Sequence, residues 1–215
     1  MIESTHGIIL RTRLLTETSL IVNWLTPDLG RVSTVAKGAR RPKSPFAGKL
    51  DIFYEAEFSF TRSRRSDLHA LREVNLRQPN TALRQELGRL QQVAYCAALI
   101  VQTTEVETPL REVHALFSGL LKHVTQQPPK PRNIFAFELK LLRALGLEPD
   151  AEESKFPAET RTLVTTLTES SWEKLGDLRA TAAQARALQQ YLHGFLIYQF
   201  GKLATGRHAA LGESG

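Results

Sequence analysis

The chain has 215 residues, 42% of them apolar and 23% charged, enough for a proper core in one large domain or two small ones and outside the composition of disordered segments. Its formal charge of +6 and pI near 9.7 point to a polyanionic partner. The excess is concentrated in the first third. Residues 1–80 hold 13 Lys and Arg against 8 Asp and Glu, whereas residues 81–215 hold 15 against 14, and residues 31–65 alone carry nine basic and three acidic groups. Cys96 is the single cysteine, which excludes an intrachain disulfide and a cysteine-based metal site. No charged leader with an apolar core opens the sequence, and no uncharged run approaches membrane-spanning length, so a soluble cytoplasmic protein is expected.

The first eighty residues alternate with the period of strands. Residues 7–13, 19–26 and 31–37 are β-rich, and Pro27-Asp28-Leu29-Gly30 supplies a turn that closes a hairpin between the second and third. Residues 50–61 form a fourth segment, with Phe58 and Phe60 on one face and Glu55, Glu57 and Ser59 on the other. Residues 67–75 make a fifth, with Leu68, Ala70 and Arg72 opposing His69, Leu71 and Glu73. Five short strands in about seventy residues, without an amphipathic helix among them, predict a small closed barrel of the oligonucleotide-binding (OB) type.

From Thr81 the period becomes helical. Leu83, Leu87, Leu90, Ala94, Ala97 and Val101 mark the buried face of a first helix. Val113, Leu116, Phe117, Leu120, Leu121 and Val124 mark that of a second, over residues 110–126. Pro128, Pro129 and Pro131 predict an extended linker, and Asn133 is placed to cap a third helix that Gly146 terminates. An acidic loop over residues 148–155 leads to Pro157 at a helix start, and Trp172 with Leu175 marks a short turn or helix. Thr181 and Gln184 form a capping box for a long helix through Leu188, Leu192, Phe195 and Leu203. The expected architecture is α+β, with an N-terminal OB-fold barrel over residues 1–80 packed on a C-terminal helical bundle over residues 81–215.

The stretch with the most chemistry in it follows the third strand. Residues 37–49 contain five basic groups and no acid, and Pro42 and Pro45 stiffen the backbone. Arg40, Arg41 and Lys43 are therefore expected to form an exposed basic tip suited to phosphates. Arg31 and Lys37 on the adjoining strand, and Arg62, Arg64 and Arg65 on another loop, extend the candidate surface. Phe46 is the one aromatic weighed as a base contact, since Phe58 and Phe60 at period two belong to the barrel core. No catalytic constellation accompanies these residues. The six histidines are scattered, no Walker A, GxGxxG or GxSxG motif occurs, and Asp150, Glu152 and Glu153 read as a solvated loop. No enzyme activity, metal or cofactor is expected. A nucleic-acid-binding protein fits best. A barrel with a basic tip does not by itself separate DNA from RNA, and a pure protein adaptor leaves the tip unexplained.

Three motifs carry a family resemblance. They are Gly7-Ile8-Ile9-Leu10-Arg11-Thr12-Arg13 followed by Glu17-Thr18-Ser19, then Thr26-Pro27-Asp28-Leu29-Gly30-Arg31, then Ala36-Lys37-Gly38-Ala39-Arg40-Arg41-Pro42-Lys43-Ser44. Together they resemble the bacterial RecO family, the recombination mediators and DNA-repair proteins of the RecFOR pathway. The likeness covers nearly the whole chain, is strongest over residues 1–80, and continues through Phe137-Glu138-Leu139-Lys140-Leu141-Leu142-Arg143-Ala144-Leu145-Gly146. It implies binding of single- and double-stranded DNA, annealing of complementary strands, partnership with RecR, contact with the acidic C-terminal tail of single-strand-binding protein, help in loading RecA, and a nucleoid-associated location. Many relatives carry a four-cysteine zinc module after the third helix. Residues 147–156 here have no cysteine, so no zinc is implied. For the acidic tail, Lys140 and Arg143 share a helical face beside Leu139 and Leu142, with Arg132 at the start of that helix and Lys122 at the end of the preceding one.

Overall fold

The computed structural model describes residues 1–149 and 156–212; Asp150, Glu152 and Glu153 lie outside them. The chain divides into two compact units, Met1–Thr81 with Thr104–Ala115, and Ala82–Thr103 with Leu116–Gly215.

Five strands build the first unit: β1 (Ile2–Leu14), β2 (Leu20–Thr26), β3 (Gly30–Ala36), β4 (Glu55–Thr61) and β5 (Leu68–Gln78). They close in the order β1-β2-β3-β5-β4, antiparallel except for the parallel β3–β5 pair. Alternate side chains fill the interior, among them Ile9, Val22, Trp24, Val32, Phe58, Phe60, Leu71 and Val74. The Trp24 and Phe58 rings stack at 4.0 Å, and the Trp24 indole N–H donates to Thr34 Oγ1 at 2.9 Å, so the one polar atom of the ring is satisfied inside. The 27–30 turn forms as its sequence predicts, held by Thr26 Oγ1, which donates to the Gly30 carbonyl and accepts from the Leu29 N–H.

Two features re-aim the strands. The β1–β2 register slips between Ile9 and Arg11, a β-bulge that turns Arg11 and Arg13 to the outer face opposite Asn23 and Ile21. Residues 53–54 close on the same place, with Phe53 N–H donating to Ile9 O at 2.7 Å and Ile9 N–H to Tyr54 O at 2.9 Å. Phe53 takes a left-handed backbone (φ 65°), and its carbonyl is held at 2.8 Å by the Asn80 side chain. Segment 104–115 completes the unit. Val106 bridges to Arg31, and Gly30 is required there, because at φ 66° its missing Cβ would lie 1.9 Å from the Thr108 carbonyl oxygen.

Three strand expectations are corrected. β1 begins at Ile2 rather than Gly7, its polar start paired residue by residue with β4. β4 begins at Glu55, because residues 50–54 are spent on the turn and the Ile9 pairing. β5 runs to Gln78 rather than Asn75, and of its two opposed faces the buried one is His69, Leu71 and, past a register shift, Val74.

The second unit follows a 3₁₀ turn, Thr81–Gln85, and is helical: α1 (Leu87–Thr103), α2 (Arg111–Gln126, whose first turn belongs to the barrel unit), α3 (Pro131–Ala144), α4 (Ala158–Glu169), α5 (Trp172–Leu175), α6 (Ala182–Phe200) and α7 (Arg207–Ala210). α3 is buried along most of its length. On it Glu138, fully buried, takes a forked ion pair from Arg207 (2.7 and 2.9 Å) and the Tyr95 hydroxyl at 2.5 Å. Burial together with the Glu138 charge pushes the Tyr95 phenol up, which keeps it a donor. Cys96 is buried and its thiol pushed well up, so it is inert.

Helix signals were partly right. The Thr181–Gln184 capping box is present, and Gly146 (φ 70°) ends α3 with the Leu147 N–H donating to Leu142 O. Asn133 does not cap α3. Pro131 opens the helix after Lys130, and Asn133, one turn in, is buried between Gln92 and His123. The buried face of α1 is Gln92, Val93, Tyr95, Cys96, Ala97, Leu99 and Ile100, so Ala97 of the expected face is inside while Leu87 is 70% exposed. Leu203 lies beyond α6, which Gly201 terminates.

Candidate nucleic-acid interface

Residues 37–49 fold as consecutive tight turns, with Arg41 N–H donating to Gly38 O, Ser44 N–H to Arg41 O, Ala47 N–H to Ser44 O and Lys49 N–H to Phe46 O. The base of the loop is tied to the β1–β2 connection: Arg40 N–H donates to Thr18 O, one Arg40 guanidinium N–H to Glu17 O, and Gly38 N–H to Ser19 Oγ. Lys37, Arg40, Arg41 and Lys43 are exposed, and none of them is ion-paired among the described residues. The pairings Arg13↔Ile21 and Ile21↔Val35 bring Arg13, and Arg11 next to it, to the same end of the sheet. Both are exposed. Sequence reasoning passed over these two arginines. Simple alternation from Ile9 turns them inward, and only the bulge shows otherwise.

The remaining candidates do not join this patch. In the parallel register Ser33 pairs with Leu68 and Val35 with Ala70, so loop 62–67 sits at the start of β3 and the basic tip at its end. At the usual strand rise these levels are roughly 16 Å apart. Arg64 and Arg65 are exposed there, but Arg62 is committed to Glu3 and Glu107, both at 2.6 Å. That bond holds the Glu3 carboxyl below its usual range, and its partners push the Arg62 pKa up. Arg31 is turned inward, donating to Thr104 Oγ1 at 2.9 Å and Thr104 O at 2.5 Å, with burial lowering its pKa. Phe46 is corrected outright. Its ring is 6% exposed and belongs to the barrel core, because the turns at Ser44 and Ala47 fold the loop back over the barrel end.

The four residues expected to hold an acidic peptide are also dispersed. Lys140 donates to the Thr168 and Ser170 carbonyls, both at 2.7 Å, and so caps the C-terminus of α4; burial first, and Arg143 second, lower its pKa. Arg143 is exposed, 3.8 Å from Glu148. Lys122 edges a small hollow beside Trp172. Arg132 alone faces a substantial groove. Its guanidinium donates to the Gly176 and Leu178 carbonyls (2.6 and 2.9 Å) and lines a cavity of about 390 Å³ floored by Phe135, Leu163, Leu167 and Leu188. Lys130 and Arg179 stand on its rim, a pairing of basic groups that sequence spacing could not bring together.

Among the described residues no group of three or more His, Cys, Asp or Glu is arranged to hold a metal ion, and no helix is long and apolar enough to cross a membrane. The sequence model of the Recombination protein O N terminal family matches residues 1–80, and that of the Recombination protein O C terminal family matches residues 84–154. The chain is similar to the DNA repair protein RecO of Rhodopirellula baltica, 31% identical over 200 residues, which cover 83% of this chain and 74% of that protein. The protein of that name from Idiomarina loihiensis is 32% identical, over 88% of this chain and 76% of its own length. The one from Anaeromyxobacter sp. is 34% identical over 66% of this chain but only 56% of its own length.

Proposed function

The chain belongs to the RecO family of DNA repair proteins, and from that premise we propose that it is a DNA-binding recombination mediator without catalytic chemistry of its own. The observation that carries the proposal is the cluster of Lys37, Arg40, Arg41 and Lys43, exposed and without an ion-pair partner among the described residues, at one end of a closed barrel, with Arg11 and Arg13 beside it. Contacts of this kind go to phosphates and carry no sequence information. They suit a protein that must hold any strand long enough for its complement to pair, which is the physical requirement of annealing. Help in loading RecA and partnership with RecR are the family's contribution to the reading.

A second part of the proposal concerns the groove at Arg132. An apolar floor with Lys130, Arg132 and Arg179 on its rim suits a peptide that ends in acidic and aromatic residues, the chemistry of the single-strand-binding-protein tail.

The testing experiment is a salt titration of single-stranded DNA binding. The wild-type log–log slope should be about −0.7 per neutralised phosphate, and the triple variant Arg40→Ala/Arg41→Ala/Lys43→Ala should be shallower by about two units. An unchanged slope returns the tip to a solvated turn. Matched RNA competing as well as DNA would shift the reading to an RNA-binding protein.

A further inference from the structure

At the foot of the basic tip lies a cleft of about 290 Å³ lined by Leu20, Ala39, Phe46, Leu50 and Tyr54, with Asp51 and the outer residues Ala47 and Gly48 at its edge. Nothing in the proposed phosphate contacts uses it. We propose that this cleft receives one unpaired nucleobase, laid against Tyr54, while Arg40, Arg41 and Lys43 hold the flanking phosphates. The inference rests on the nucleic-acid-binding reading and adds to it a site for the base.

Three observations select that occupant. Apart from Asp51 its lining side chains are apolar, set among polar loop backbone, and they include the half-buried ring of Tyr54, the kind of surface on which bases of any identity stack. Residues 37–49, which supply much of its lining, carry five basic groups and no acid, and the one acid on the lining, Asp51, is exposed. A carboxylate there repels a phosphate from the cleft, so the backbone stays outside and the base goes in. The cleft is also built in advance. Tyr54 is fixed by the Ile9 N–H on its carbonyl, and the left-handed Phe53 before it is held by Asn80. The cleft reaches solvent, since Ala47 and Gly48 on its lining are exposed. A base in a duplex is stacked on both sides and paired, and cannot enter. The cleft therefore favours single strands where the basic tip alone does not.

The test uses the full chain and a single-stranded oligonucleotide carrying a fluorescent purine analogue, with a matched duplex as control. Ala47→Leu narrows the mouth from an exposed position, and Tyr54→Leu removes the stacking face while keeping bulk. The wild type should change the analogue's fluorescence on binding. Both variants should lose that change and bind the single strand about fivefold or more weakly, with duplex affinity within about twofold. A retained fluorescence change and unaltered single-strand affinity in Ala47→Leu would overturn the cleft assignment, while the salt slope of the tip still stands. Absence of any oligonucleotide binding by the wild type at low salt would overturn the nucleic-acid reading and this inference with it.

Discussion

His69 Nε2 lies 2.5 Å from one oxygen of Glu107, whose other oxygen is 2.6 Å from Arg62 Nη1. Because His69 Nδ1 accepts the Ser63 N–H, the neutral ring carries its proton on Nε2 and donates it to Glu107. One carboxylate from a segment far along the chain thus fixes both ends of loop 62–67. Glu107→Ala leaves a buried imidazole N–H without its acceptor and Arg62 with Glu3 alone, and should cost about 1–3 kcal/mol of barrel stability. Glu107→Gln, which can still accept, should cost less. Urea unfolding with amide exchange at Ser63 distinguishes the two, and coincident transitions for all three proteins would show the contact to be idle.

A buried Phe46 makes a different prediction from a base-stacking one. Phe46→Leu keeps most of the core volume and should cost under about 1.5 kcal/mol, and because Phe46 is a buried wall of the cleft rather than the face the base lies on, single-strand affinity should fall by less than with Tyr54→Leu. A stacking aromatic would lose about 1–3 kcal/mol of binding instead. Oligonucleotide titration beside thermal unfolding separates the outcomes.

What the sequence disclosed follows a physical line. Alternation and turn chemistry marked all five strands, since a strand with one face inside must repeat with period two, and Thr26 to Gly30 carry the turn in their own side chains and backbone. Period alone could not locate the bulge at Leu10, so Arg11 and Arg13 were passed over. It also misplaced the face of α1, where Gln92 and Tyr95 are buried because partners far along the chain satisfy them. The basic tip was legible because like charges without a local acid have nowhere to go but outward. Arg31, Arg62 and Lys140 were not, since their partners Thr104, Glu107 and Thr168 come from other elements.

The Glu138–Arg207 pair, with both side chains buried, ties α7 to α3. Glu138→Leu alone strands a buried guanidinium and should destabilise by about 3–5 kcal/mol, whereas Glu138→Leu with Arg207→Met should recover most of that loss. Denaturant midpoints of the singles and the double give the coupling directly. Additive losses would mean that the pair does not act as a unit.

His114 gives a pH dependence with a definite sign. Burial, with a smaller push from His6 at a ring distance of 5.4 Å, lowers its pKa from 6.5 to about 4, while Asp28, itself paired with Arg111, acts the other way. Its Nε2 is buried with no partner among the described residues. Between those two values the unfolded chain takes up a proton that the folded ring refuses. Stability is therefore complete above about pH 6.5 and falls as pH drops toward 4, by no more than about 3 kcal/mol from this group. His114→Phe should flatten that part of the profile in urea unfolding across pH 7 to 4.5, and an identical slope in both proteins would count against a depressed imidazole.

The last prediction separates peptide binding from DNA binding. If the groove at Arg132 holds an acidic tail, Lys130→Glu with Arg179→Glu should abolish binding of a single-strand-binding-protein tail peptide and leave oligonucleotide affinity within about twofold. Both residues are exposed, and reversing them breaks no bond that the fold depends on among the described residues. Arg132 is less suitable for this test, because its guanidinium also holds the Gly176 and Leu178 carbonyls. Lys140→Glu is the instructive control. It removes the cap on Thr168 and Ser170 and puts a negative charge at the C-terminus of α4, so it should lower stability by about 1–3 kcal/mol. At a temperature where that variant remains folded by circular dichroism, it should still bind the peptide. Arg143→Glu, on an exposed site beside Glu148, should change neither property. Peptide affinity that survives reversal at Lys130 and Arg179 but falls with Arg143→Glu would move the tail from the groove to the exposed edge of α3.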